Sequence, residues 1–171
     1  MRKTFLVIAT LLFLGGMNSN AQDRSSFKAG FNAGLPVGDA ANVSDFSLGL
    51  DVAYHWGVSE LFDVGLATGF INAFGKSETI TEGPITIESD FENIQFIPLA
   101  GSVRLYPTYH FKLGADLGYG VGINAGNEGG FYIRPSIGYN ITGNTELNVS
   151  YMNISNDGSF SIVAVGILFL F

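Results

Sequence analysis

Residues 161–171 read SIVAVGILFLF, with Val163, Val165, Ile167, Phe169 and Phe171 on one face of an extended chain. Chain ends usually fray, so an apolar strand at this position is costly in water. A closed barrel in a bilayer requires one, because its last strand must pair with its first while facing lipid. Working back from this stretch, period-two alternation recurs as far as Ser26, with almost no helical pattern. Eight strands are expected, at about 26–36, 45–56, 61–74, 92–106, 109–123, 130–141, 145–154 and 160–171.

The fifth of these is the most regular. Tyr109, Phe111, Leu113, Ala115, Leu117, Tyr119, Val121 and Ile123 alternate with His110, Lys112, Gly114, Asp116, Gly118, Gly120 and Gly122. Short turns fall near 57–60, 107–108 and 143–144, and longer polar links at 37–44, 75–91, 124–129 and 155–159. That alternation is expected of an outer-membrane barrel with both termini periplasmic and its long loops outside. Pro98 and Pro135 interrupt two of the strands and are expected near the outer rim, where pairing ends or bulges.

Composition agrees with a membrane. Charged residues make up 13% and hydrophobic residues 47%, with 15 Phe, 7 Tyr and 23 Gly, and the mean hydropathy is +0.30. Soluble domains carry about 25% charge. Residues 1–21 have the layout of a signal peptide: Arg2 and Lys3, an apolar run at 5–14, then Ser19 and Ala21 before a cleavage point. The run is too short for a membrane-spanning helix, which needs roughly 20 residues. Residues 22–171 are expected to form one domain, the barrel itself. Removing Arg2 and Lys3 takes the formal charge from −7 to −9, which argues against nucleic acid as a partner. With no cysteine, the fold closes without disulfides and a lipoprotein anchor is excluded.

Which face is inside decides the class. The face opposite the apolar one mixes Gly and Ala with full charges, an improbable soluble surface. Its charges balance: Lys28, Arg104, Lys112 and Arg134 against Asp51, Asp63, Asp116 and Glu146. Tyr54 with Trp56, and Tyr109 with Phe111, lie beside short turns, where an interfacial girdle belongs. The expectation is an all-β, eight-stranded antiparallel up-and-down transmembrane barrel with a polar interior filled by side chains. Those charges would have to pair, since an unpaired buried ion costs several kcal/mol.

Phe96-Ile97-Pro98-Leu99, leading to Arg104-Leu105-Tyr106, then Phe111-Lys112-Leu113-Gly114-Ala115 and Gly118-Tyr119-Gly120-Val121-Gly122, resemble the small outer-membrane β-barrel family, of the "porin family" and OmpX/opacity-like kind. The resemblance covers nearly all of residues 22–171. It implies residence in the outer membrane, contact with its lipid and lipopolysaccharide, and no catalytic motif. Phe171, with Phe169 and the alternating residues before it, resembles the signal read by the barrel-assembly machinery.

For function, a filled interior implies a plug and not an aqueous channel. The expected role is structural, adhesive or partner-binding at the cell surface, with no enzymatic activity, cofactor or metal. The alternative is passage of a small solute or apolar ligand, and a soluble barrel with an apolar interior is a third reading. The acidic segment at 75–91, carrying Glu78, Glu82, Glu88 and Asp90 with adjoining Glu92 against Lys76, is the candidate surface for an extracellular partner. Its carboxylates could engage divalent cations. Ile85 and Ile87 alternate within it, so it could also extend as a protruding hairpin open to strand addition. His55 and His110 are expected on the inward face, with Asp51 as the one carboxylate that could join them at a metal. Ser102 and Ser136 also point inward, and nothing in their spacing joins them to a base. Gly118, Gly120 and Gly122 follow strand period and lack the turn a phosphate loop needs.

Overall fold

The computed structural model describes residues 26–82 and 85–171, with the backbone alone across 78–89. The expected signal peptide lies outside these residues. Ten strands are described: β1 Ser26–Val37, β2 Ser44–Gly57, β3 Phe62–Gly75, β4 Ser77–Glu82, β5 Ile85–Asp90, β6 Ile94–Leu105, β7 Phe111–Gly122, β8 Gly130–Thr142, β9 Thr145–Ser155 and β10 Ser159–Leu170. Eight of them close a barrel in the ring order β1-β2-β3-β6-β7-β8-β9-β10. Every neighbouring pair is antiparallel.

Closure is made by β1 against β10, in register from Lys28 opposite Leu170 to Val37 opposite Ser161. One further bond continues the seam, from the Phe171 amide to the Phe27 carbonyl at 2.9 Å. A closed ring leaves no edge whose backbone groups go unpaired, which is the condition for a sheet in hydrocarbon. The barrel strands run 11 to 14 residues, enough for the roughly 9–11 that cross a bilayer.

Alternation decides the two faces. Phe31, Leu50, Leu66, Leu99, Leu117, Ile137, Val149 and Val165 point outward and are half exposed or more. Aromatic side chains mark both ends of this apolar band. Tyr54 meets Trp56 edge-on at 5.0 Å beside the β2–β3 turn, and Phe46 stacks on Phe74 at 4.3 Å at the other end. Inside, glycine serves two purposes. At Gly118 a Cβ would lie 2.0 Å from the Leu99 carbonyl oxygen, so strand curvature demands a bare backbone there. At Gly114 it would strike the Ser136 hydroxyl and the Arg104 side chain.

Three features of the path refine or correct the sequence reading. The segment 75–91 carries β4 and β5, paired as the hairpin allowed for above into a separate two-stranded ribbon with Ile80 opposite Ile87. It continues β3 directly, with the Phe91 amide bonded to the Lys76 carbonyl at 3.0 Å. The link after β1 folds into a short 3-10 helix, Gly38–Asn42, with Ala40 buried. Pro98 and Pro135 stand well inside β6 and β8, not at the outer rim. Each is in register with one neighbour, opposite Gly120 and Ala115 respectively. On the other side the ladder lapses, between Thr68 and Ile71 beside Pro98 and between Ile133 and Ser136 at Pro135. A proline is tolerated mid-strand when its missing N–H faces such a lapse.

Candidate functional site: a plugged lumen between two vestibules

Alternate residues of the eight barrel strands send their side chains into the ring, and these stack in tiers. At the end holding Ser26 and Phe171, Lys112 donates to Glu146 at 2.7 Å. Lys28 lies 4.0 Å from the same carboxylate and donates to the Tyr106 hydroxyl at 3.5 Å. Tyr106 in turn donates to Asp63 at 2.5 Å. The Lys28 and Lys112 ammonium groups sit 5.9 and 5.6 Å from the Tyr106 ring centre, within cation–π range. Tyr106 lies just beyond β6, and burial, with the hydrogen bond to Asp63, raises its phenol above the ordinary tyrosine range. It therefore remains a donor.

The next tier is centred on Asp116. Arg104 grips it with two nitrogens, at 2.6 and 3.3 Å, and the Ser102 hydroxyl donates to it at 2.6 Å. Above it, Arg134 forms a fork onto Asp51 at 2.6 and 3.0 Å, and its Nε donates to the Ser150 hydroxyl at 3.0 Å. Asn32 completes the shell of Asp51 at 2.9 Å. Seven of the eight expected lumen charges are buried and Asp51 nearly so. Four cations and four anions share the space.

The tier at the opposite end, nearest the β4–β5 ribbon, is apolar. Ile71, Phe96, Ala100, Tyr132, Met152, Ile154, Ile162 and Ala164 pack as one cluster, with Ile94 and Phe160 against it. The interior thus joins a polar lower part to a hydrophobic cap. The cap was missed because its members come one or two per strand, and an inward apolar residue gives the same sequence signal as an outward one.

Two arrangements correct the sequence reading. His110 is not in the lumen: it is exposed, with its ring 5.1 Å from Tyr109 and 5.7 Å from Tyr139. Ser102 is joined to a histidine and a carboxylate after all, through His55 Nε2 at 2.8 Å and Asp116. The order is nevertheless that of a structural relay. The serine donates to the carboxylate, so its proton is not offered to the imidazole, and among the described residues His55 Nδ1 has no partner to orient it. His55 is fully buried. Among the described residues no group of three or more His, Asp or Glu is placed to hold a metal ion.

The open space in the ring follows the same division. A vestibule of about 580 Å³ at the terminal end reaches Asp63, Tyr106 and Lys112, and a cup of about 490 Å³ opens at the other end. Between them, the cavity touching Asp51, Arg104, Asp116 and Arg134 measures about 30 Å³. That is room for about one or two water molecules.

A closed antiparallel ring of eight strands, apolar outside and ion-paired inside, is the fold of the small outer-membrane β-barrels. No protein-family model matches the chain, and no curated protein matches it. Solved structures do. The crystal structure of Ail, the attachment invasion locus protein of Yersinia pestis, superposes with a TM-score of 0.56 at 14% identity, over 86% of this chain and 97% of Ail. The same outer-membrane protein in a phospholipid bilayer nanodisc gives 0.56 at 15%, over 88% and 100%. A de novo designed transmembrane β-barrel gives 0.51 at 13%, over 85% and 95%. At such identities the likeness is one of fold.

Proposed function

We propose that this chain is an integral outer-membrane protein, exported by residues 1–21, with both ends of residues 22–171 periplasmic and the β4–β5 ribbon outside the cell. Its role is structural, adhesive or partner-binding, and it is not an open pore. The observation that carries this reading is the 30 Å³ cavity between two vestibules more than ten times larger. Solute entering either vestibule meets paired charges or packed hydrocarbon.

The outer end offers two kinds of contact surface. The ribbon has free strand edges, the feature that supports recognition by strand addition, and Glu78, Glu82, Glu88, Asp90 and Glu92 lie on or beside it. Ail is named for attachment and invasion, which supports a surface role for a barrel of this shape. One Ail structure holds the heparin analogue sucrose octasulfate. The acidic outer end of this chain has the wrong sign for a polysulfate. Outer-membrane lipid and lipopolysaccharide would surround the apolar band, and the barrel-assembly machinery would read Phe171 and Phe169.

The test is electrophoretic and electrical. In SDS, the outer-membrane fraction should show faster migration unboiled than boiled, as a closed barrel resists SDS until heated. The purified barrel in planar bilayers should give no steady conductance, while deletion of residues 77–90 should preserve the heat shift and abolish adhesion to host cells or other surface partners. Steady single-channel currents would favour the passage reading, and recovery in the soluble periplasm would refute the membrane one.

A further inference from the structure

The cup at the outer end has a floor of one character and a rim of another. Ile94, Phe96, Ile154 and Phe160 line its depth, the first two from β6 and the others from β9 and β10. Phe96 and Phe160 are in ring contact at 5.7 Å, so the floor is rigid and continuous with the apolar cap. At about 490 Å³ the cup is within the roughly 300–1,000 Å³ of small-molecule sites.

The rim is pre-built. Asn127 Nδ2 donates to the Gln95 carbonyl at 2.8 Å, and Asn124 Nδ2 donates to the Asn93 carbonyl at 2.7 Å. Asn124 Oδ1 accepts from the Gln95 amide at 3.0 Å. Those asparagine groups are spent on holding loops together. The charged groups left on the rim are the Asp39 and Glu92 carboxylates, which have no ion pair or hydrogen bond among the described residues. Nine of the chain's fifteen acidic residues lie at or beyond this end of the barrel, against the single cation Lys76. An apolar floor beneath a rim of one sign selects a ligand with an apolar body and the opposite charge.

We propose that the cup is a binding site for small cationic amphiphiles, an aromatic or alkyl body carrying an ammonium group. The body covers Phe96, Phe160, Ile94 and Ile154, and the ammonium lies between Asp39 and Glu92. The floor supplies most of the attraction by desolvation, and the exposed carboxylates supply the preference for a cation. The proposal stands on the cup and its rim and not on the surface role, so a barrel that keeps its heat-dependent mobility but binds no tryptamine fails this proposal alone.

The experiment is calorimetric titration of the full barrel, in uncharged phosphatidylcholine nanodiscs at low salt, with tryptamine, and with indole-3-propionate as the anion of similar body. Saturable one-site binding of tryptamine is expected, at least about fivefold tighter than the anion, the scale of two weak exposed ion contacts. D39N/E92Q should erase that preference. Gly158 lines the cup and leaves open space where a side chain would start, so Gly158→Trp should abolish binding. Glu60→Gln, at the opposite vestibule, should change nothing. Each variant is first shown to keep its heat-dependent mobility. Equal affinity for cation and anion, no saturable tryptamine binding, or unchanged binding in the Gly158→Trp barrel would overturn the proposal.

Discussion

Arg134 on β8 and Asp51 on β2 stand half the ring apart, four strands in either direction, and still meet at 2.6 and 3.0 Å. The pair ties opposite walls of the barrel together. Ladder register did not choose it, since Arg134 lies directly across from Asp116 on β7. Asp116 is already forked by Arg104, and that leaves Asp51 as the acceptor across the lumen. A buried fork of this kind is costly to break and much cheaper to replace whole.

Asp51→Ala should therefore destabilise the barrel by about 3–5 kcal/mol, because Arg134 is left buried without a counter-charge. Adding Arg134→Met should restore most of the loss. Urea unfolding of the two single variants and the double variant in detergent measures the coupling; additive losses would show that the charges do not act as a pair.

A charge on the outer wall tests the faces. Leu117 projects outward in the middle of β7, and Leu117→Arg should cost about 2–4 kcal/mol in a bilayer. The readout is folding free energy in lipid vesicles. An unchanged value would mean that this face does not meet hydrocarbon.

Phe171 is largely exposed, with its ring centre 6.0 Å from that of Phe27. Phe171→Ala should slow assembly in cells far more than it lowers the stability of the finished barrel. Pulse-chase measurement of heat-resistant protein, beside equilibrium unfolding, separates the two. Equal assembly rates would count against an assembly signal at this residue.

Two glycines should respond in opposite ways. Gly118→Ala sets a methyl against the Leu99 backbone and should cost about 1–3 kcal/mol, as overpacking does. Gly158→Ala meets open space and should be neutral within about 0.5 kcal/mol. Thermal mobility shifts in SDS distinguish them, and comparable losses would show that curvature at Gly118 is not what selects glycine.

The strand count and the two faces were legible because period-two alternation in stretches such as Phe111–Gly122 states them locally. What a single strand cannot state is which residues meet across the ring. Ser102, His55 and Asp116 sit on three strands, and their relay exists only once β2, β6 and β7 curve together. The partner of Arg134 is hidden for the same reason, 83 positions away along the chain. Met152, Ile154 and Ile162 were silent because an inward apolar residue looks no different from an outward one when both neighbours are ambiguous. His110 was misplaced by starting β7 two residues too early: the strand begins at Phe111, and alternation has no meaning before it.

The balance of four cations and four anions within the lumen has an electrical consequence. A potential across the wall acts on net charge, and each unmatched elementary charge moved through 100 mV would contribute about 2.3 kcal/mol. The lumen set sums to zero, and its two forks, Arg134 on Asp51 and Arg104 on Asp116, each hold a cation against an anion, so it presents no net charge to such a potential. Under the closed-lumen reading proposed above, a voltage would therefore gain no purchase on these charges as a set, and a change that opens the interior would act chemically, by competing for Asp51 or Asp116.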